Sequence, residues 1–594
     1  MINIKKLSKN NIYDAIVTGA KDVIKIKDYL NEINVFPVKD GDTGTNMTNI
    51  MTSIIENAKI EETLKDTLKS ISNAALIGSK GNSGLIFSQF IYGFTKDINL
   101  DYIDNLNLIN QLEKGYYYAY QSIENPVEGT MITLMRSLYE IMNNEKDKHN
   151  SFEEYLIKVN EILKSQLKLT KNQLKILKKY DVVDAGALAF TIFIDGFISS
   201  VLNNEANNDF NIEEKTLKVD KVIDHINNDI KYRYCTEVLL STNIDIVTLK
   251  ENLKQYGDSL VIGKSEEFTK VHIHTNNPDK IVEVLQKNNM IKTTKVDDMI
   301  NQSILNNHEK SEICILTDSI ADIDQKTIDH LNIQIFPINL NIADLIYYDK
   351  LTINNKQLIK LINENQQFPK TSSPSTISVI ELLDNLKNHY KKIIIITVSS
   401  KMSSTYNVFN NAAKQFNNNE VTVIDSKLNS IAQGLLAINA ANMVRENNSF
   451  EEVINTTNKL RDEIEILVRV KTLDNMVKGG RISKGLGVFA RLIRLNPIIS
   501  IDKDGNGIIK SKVIGKKNSF KKIIKTFKRA YKKYGVKTYA ITHVNNLKEA
   551  EKLKTAIIKI TNLKPEYITD ASSVIALNAG NGAIAISYIK GVKS

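Results

Sequence analysis

Along residues 12–202 the apolar positions recur every three or four residues in long segments divided by polar turns, and stretches that alternate apolar with polar residues are scarce. Only a helix gathers such positions onto one face, so this part of the chain is predicted to be all-α. Residues 203–215, NNEANNDFNIEEK, are polar and rich in asparagine and read as a linker. Between residues 217 and 302 shorter helical patterns mix with strand-like runs at 235–240 and 270–274, which predicts a small α+β unit. A second polar connector is expected at 301–311. From residue 312 onward short apolar runs (ICILT, IIIITV, VTVID, YAITHV) alternate with helical segments, the pattern of parallel strands with crossover helices in an α/β domain. The domains expected are therefore 1–202, 217–302 and 312–594.

Length agrees with several cores, because 594 residues exceed the ~250–300 at which one core stops growing. An apolar content of 42 % with 25 % charged residues suits a chain that folds and argues against disorder. The two cysteines, Cys235 and Cys314, make no disulfide framework, so a reducing cytoplasm is the expected compartment. Residues 1–10 lack the continuous apolar core of a secretory signal. The most apolar stretch, 182–202, contains Asp184 and Asp195 and is expected to be a buried helix, since each aspartate would cost ~2.5–3.5 kcal/mol in a bilayer.

A net charge of +10 permits anionic partners without selecting one. The exception to evenly spread basicity is 519–533, SFKKIIKTFKRAYKK, where Phe520, Ile523, Ile524, Phe527 and Tyr531 share a helical face opposite a crowd of lysines. Packing on its own domain and transient docking on an anionic membrane surface are both open for it. Nucleic-acid binding is not expected, since no recognised module or interleaved aromatic and basic stripe is present.

Residues 34–47 read NVFPVKDGDTGTNM, with Asp40 and Asp42 on either side of Gly41. Neighbouring carboxylates repel unless a cation lies between them, and hard oxygen ligands favour Mg²⁺; the competing reading is a solvated turn. Gly44 would let backbone N–H groups approach phosphate, and Thr43, Thr45 and Asn46 offer side-chain donors. Further small-residue turns occur at GSKGNSG (78–84, with Gly81, Asn82 and Ser83), VEGTM (127–131, with Gly129 and Thr130) and VVDAGA (182–187). With these four segments in order, the first 200 residues resemble the nucleotide-binding subunit of bacterial dihydroxyacetone kinases, and most closely the kinase subunit of two-component fatty acid kinases. The resemblance implies an antiparallel helical barrel that holds Mg–ATP at one end. It makes Asp40 and Asp42 the Mg²⁺ ligands, with Asn34 a further candidate, places Thr43, Asn82 and Ser83 on the phosphates, and brings Thr130 and Asp184 near the nucleotide. Ala187 stands where that family more usually has glycine, so its β-carbon would narrow the nucleotide space.

The segment GDSLVIGKS at 257–265 has one residue too many between its glycines for a P-loop and is rejected as one. Cys235, His272 and His274 are a plausible zinc set by residue type, and the two histidines share a strand face; buried thiol and surface imidazoles are the alternative. The segments YRYCTE and KVHIHTNNP resemble the linker domain of the same kinase subunit, which implies a structural zinc on these three residues.

In the α/β region, ICILTDSIAD, PKTSSPS, VSSKMSSTY and VKGGRIS put hydroxyls or glycines at strand ends, where open α/β sheets bind ligands. Together they resemble the DegV family of fatty-acid-binding proteins, a two-lobed α/β fold. The resemblance implies that Thr371, Ser372 and Ser403 receive a fatty acid's carboxylate, that Arg481 helps receive the phosphate, and that the acyl tail is buried. Asn578 stands where the family usually has histidine, and Ser404 where it has glycine, which puts phosphate handling in question. The function expected is ATP-dependent phosphorylation of a bound fatty acid to acyl-phosphate by a kinase fused to its acyl carrier, in a homodimer. The alternatives are a kinase of a small hydroxylated substrate such as dihydroxyacetone, and a non-catalytic lipid-binding regulator.

Overall fold

The computed structural model describes residues 6–36, 41–203, 230–241, 244–287, 290–307, 311–343, 345–364, 368–417, 419–481 and 496–591. Asp40 and residues 204–215 of the expected linker lie outside the described residues. The chain forms two compact units, Met1–Asn306 and Asn307–Ser594.

The first unit begins with helices α1 (Lys9–Lys25), α2 (Lys27–Glu32), α3 (Thr43–Asn57), α4 (Leu64–Gly78), α5 (Gly81–Thr95), α6 (Asn105–Ser122), α7 (Met131–Glu145), α8 (Phe152–Gln173), α9 (Lys175–Tyr180) and α10 (Ala185–Leu202). The long ones pack as a closed ring, α1 against α3, then α4, α5, α6, α7, α8 and α10, with α10 returning to α1. Short connections make sequential neighbours antiparallel. The starts of α3, α5, α7 and α10 therefore lie at one end of the barrel and those of α1, α4, α6 and α8 at the other. Phe87, Phe90, Phe190 and Phe193 fill the interior with edge-on ring contacts such as Phe87–Phe193 at 4.9 Å. Helix α10 is long and apolar enough to cross a membrane, yet 78 % of it is buried inside the protein, as a core helix would be.

The unit continues with strand β1 (Tyr234–Leu240), helix α11 (Ile246–Leu253), strands β2 (Gly257–Lys264) and β3 (Thr269–Thr275), helix α12 (Pro278–Gln286) and strand β4 (Ile291–Asp298). They form an antiparallel four-stranded sheet in the order β2-β3-β1-β4. The rejected P-loop segment is strand β2. Where a polar connector was expected, a helix runs over Met299–Asn307.

The second unit has two lobes. Strands β5 (Ser311–Asp318), β6 (Gln334–Phe336), β10 (Tyr390–Thr397) and β11 (Val421–Asp425) pair parallel in the order β11-β10-β5-β6, beside a small antiparallel sheet of β7 (Asn339–Ile342), β8 (Leu345–Tyr348) and β9 (Lys370–Ser372). The other lobe holds β12 (Ile464–Arg469), β13 (Ile498–Ile501), β14 (Gly507–Ser511), β15 (Val536–His543), β16 (Ile568–Asp570) and β17 (Ile584–Lys590), in the order β14-β13-β12-β17-β15-β16. Here the parallel expectation is corrected: only β15 and β16 pair parallel. A tight turn at 502–507, with Gly505 at φ +94°, reverses the chain between β13 and β14. The lysine-rich helix Lys516–Tyr534 buries Ile523 and Phe527 in this lobe's core, and Phe520, Ile524 and Tyr531 pack against it. Its apolar face is thus accounted for by its own domain.

Candidate functional site

The two ends of the barrel differ in how their helices begin. At the far end Ser8, Thr63, Asp104 and Ser151 cap α1, α4, α6 and α8, each accepting the N–H three residues on. At the near end Asp42, Lys80 and Thr130 precede α3, α5 and α7 without a side-chain cap, and only α10 has one, from Asp184 to the Ala187 N–H. Uncapped first-turn N–H groups and the positive end of the helix dipole suit an anion.

At this near end Asp42 is exposed, and its Oδ2 accepts 2.7 Å from Asn46 Nδ2. Thr45 is held by Asn31, whose Nδ2 donates to its hydroxyl and whose Oδ1 accepts from its N–H, both at 3.0 Å. Gly81 sits at φ +61°, where a β-carbon would be strained and would displace the Asn46 amide that holds Asp42. Thr43 and Gly44 are buried in the first turn of α3, Ser83 and Asn82 are half-buried, and Asn34 is buried at the end of α2. Asn82 Oδ1 is buried without a hydrogen-bond partner among the described residues. An acceptor left in this way fits a cation or a hydroxyl donor, and with exposed Asp42 and the start of α5 it makes a donor set suited to Mg²⁺ and phosphate.

Gly129 N–H donates to Thr133 at 2.8 Å, and Thr130 Oγ1 to the Val127 carbonyl at 2.8 Å, which shapes the turn before α7. Asp184 is 6 % exposed. Its carboxyl is pushed up to about 6 by burial, against the pull of N–H groups from Ala187, Met131 and Gly186. It therefore ties the starts of α7 and α10 together. Ala187 is fully buried in the first turn of α10, its N–H held by Asp184.

On the sheet, Cys235 and Glu237 lie on one face of β1, opposite His274 and His272 of β3. The candidate ligand atoms of Cys235, His272 and His274 all lie within 4.8 Å of one another. His272 Nε2 is buried without a hydrogen-bond partner among the described residues. Burial and neighbouring His272 push the His274 imidazole down to about 3, so it is neutral at pH 7 and able to ligate. Burial first, then Glu237 and Asp297, push the Cys235 thiol up, a proton that a bound cation would release. The donor set fits a zinc ion.

Glu237 and Lys270 went unnoticed in the sequence. Both are buried. Burial opposes ionisation of Glu237, but the hydrogen bond with His272 and the charges of Lys270 and Lys295 outweigh it and hold its carboxyl well below the usual range. The two-residue period of β1 and β3 was the available signal, since it puts Glu237 beside Cys235 and Lys270 beside His272.

In the second unit Thr371, Ser372, Ser403, Arg481 and Asn578 line one cavity, together with Met402, Asn429, Val468, Met476, Ile499 and Ile575, which sequence reasoning missed. Its empty space is about 1110 Å³, part of it open to solvent. Hydroxyls pair at its polar side: Ser403 with Thr405 at 2.8 Å, and Ser373 with Ser404. Arg481 is exposed and donates to Thr371 Oγ1 at 3.3 Å. Asn578 gives its amide to the Val574 carbonyl at 2.9 Å and leaves its buried Oδ1 without a partner among the described residues, so here it presents an acceptor. The aspartates of TDSIAD serve the frame. Asp318 takes the Val398 N–H at 2.8 Å, and Asp322 takes the Ser572 N–H at 2.5 Å, while Asp349 takes that of Ser573 at 2.7 Å and so helps seat the helix carrying Ile575 and Asn578.

Three family models match the chain: the DAK2 domain over residues 37–199, the FakA-like middle domain of fatty acid kinases over 231–305, and the DegV family of uncharacterised proteins over 312–591. The chain joins these three domains. An uncharacterised protein of Staphylococcus aureus strain USA300 is 33 % identical over 321 residues, which is 50 % of this chain and 57 % of that protein. A counterpart in strain bovine RF122 shows the same identity and coverage. The chain thus spans little more than half the length of these relatives. Among solved structures, a fatty-acid-binding DegV family protein from Thermus thermophilus is 24 % identical, with a TM-score of 0.44, covering 47 % of this chain and 99 % of that one. A fatty-acid-binding DegV family protein from Streptococcus agalactiae gives 24 %, 0.44, 48 % and 100 %.

Proposed function

We propose that the chain transfers the terminal phosphoryl group of ATP to the carboxylate of a fatty acid held in the DegV domain, giving acyl-phosphate and ADP. The observation that carries this reading is the order of domains: a middle domain of the fatty acid kinase, FakA-like type stands between a DAK2 domain and a DegV domain. The side chains support it. Asp42, with Asp40, would hold Mg²⁺, and the start of α5 would receive phosphate oxygens. Bound Mg–ATP would supply the phosphoryl group and neutralise its charge. A carboxylate acceptor is ionised at pH 7 and needs no general base, so the chain's task is to orient two anions and exclude water. In the DegV domain Thr371 and Ser403 would hold the carboxylate, Arg481 would receive charge near it, and the apolar lining would bury the tail.

The test is oleate-stimulated ADP formation in the full chain and in Ile575→Trp, which fills the acyl cavity. Denying seats to three or four methylenes at ~0.8 kcal/mol each should weaken oleate binding roughly a hundredfold. Stimulation should vanish at oleate concentrations that saturate the natural chain, while Mg–ATP binding stays unchanged. ADP formation indifferent to oleate in the natural chain would sink the proposal.

A further inference from the structure

Helix α5 receives its cap from another domain. Lys80 makes no side-chain bond to the helix, yet its first N–H, that of Gly81, donates 2.6 Å to Oε1 of Glu237 on β1. Two residues earlier, the carbonyl of Ser79 accepts from Lys270 of β3. Glu237 and Lys270 pair with each other at 3.5 Å and are 5 % and 8 % exposed. His272 Nδ1 lies 3.5 Å from Glu237, and Lys295 stands opposite it on β4. Mutual neutralisation would need only the ion pair. Here each member also grips the backbone of the turn at 79–81, one at its N–H and one at its carbonyl. Gly81 in turn packs on Asn46, and Asn46 holds Asp42. Contact is therefore continuous from the sheet to the exposed aspartate.

We infer that Glu237, with Lys270 as its partner, is a positioning residue for phosphoryl transfer: from the middle domain it fixes the turn that begins α5. This rests on reading that turn as the phosphate site of the proposed kinase. The middle domain is then part of the nucleotide site, and loosening its carboxylate loosens nucleotide binding in a domain that carries none of the substitution.

The experiment uses the full chain and Glu237→Ala, with Glu237→Gln as the conservative variant, since glutamine keeps an acceptor for the Gly81 N–H. Amide hydrogen exchange is followed without nucleotide, and Mg–ATP affinity is measured by calorimetry. In Glu237→Ala the peptide covering 79–84 should exchange about tenfold faster and Kd for Mg–ATP should rise about tenfold, with Glu237→Gln restoring both to within about threefold. Natural-chain exchange at 79–84 in Glu237→Ala overturns the inference, and so does an unchanged Kd. A natural chain that fails to bind Mg–ATP overturns the kinase reading and the positioning role with it, an outcome distinct from equal binding by both chains. If Glu237→Ala also loosens the whole sheet, Glu237→Leu/Lys270→Met takes its place under the same outcomes, because replacing both members of a buried pair by apolar residues often leaves stability intact.

Discussion

The two ends of the helical barrel are built from the same helices and treat them in opposite ways. At one end Ser8, Thr63, Asp104 and Ser151 satisfy the helix starts from within their own segments. At the other, α10 is capped by its own Asp184, but α3, α5 and α7 begin without such caps, and what holds them comes from elsewhere: Asn31 on Thr45, Glu237 on Gly81, and Asp184 on Met131. A cap formed locally contributes stability and leaves nothing for a ligand. A start fixed from a distance keeps its shape and leaves donors in its first turn for an anion. The far end is satisfied by its own segments, and the near end, at three of its four helix starts, is not.

Substitutions at the two ends should therefore separate activity from stability. The largest effect is expected at the open end: Asp42→Asn should lower kcat by about 10²–10³, the cost of removing one charge-stabilising group, with a melting temperature near that of the natural chain. Equal losses of activity and stability would erase the distinction between the ends. Asp184 sharpens it through pH. Its carboxyl titrates near 6 in the folded chain against an ordinary value of 3.8. The folded state thus holds that proton more tightly, and the stability this contributes is present below about pH 4 and lost as pH rises through about 6. Asparagine keeps the capping acceptor and loses the charge, so Asp184→Asn should gain on the natural chain between pH 4 and 7 by up to about 3 kcal/mol in thermal unfolding. A relative loss over that window would contradict the sign. Lys80→Asp gives α5 the local cap it lacks. It should raise stability by about 1 kcal/mol and weaken Mg–ATP binding about tenfold, because its carboxylate takes the place of phosphate. Smallest is Ser151→Ala at the capped end, costing about 1 kcal/mol in denaturant unfolding with kcat unchanged.

The helical and strand elements were legible where one period dominated, as in α1 and β3, while α10, apolar nearly all round, was legible as a buried helix from its composition. The hydroxyls and Arg481 lining the DegV cavity were legible as turn residues at strand ends, and the structure gathers them into one space. The antiparallel second lobe was not, because short apolar strands look alike in either direction and only turns such as 502–507 tell them apart. Glu237 was hidden for another reason: its role depends on Gly81, 156 residues away in sequence, and no local pattern reports such a contact. The apolar face of the helix Lys516–Tyr534 showed in the sequence, but what covers it did not.

The central claim is that phosphate passes from ATP to a bound fatty acid, and its product is chemically reactive. Incubating the purified chain with Mg–ATP, oleate and hydroxylamine, and measuring oleoyl hydroxamate by mass spectrometry, tests it directly. Hydroxamate that accumulates only when ATP and Mg²⁺ are both present is the predicted result; ATP hydrolysis without hydroxamate would contradict the account.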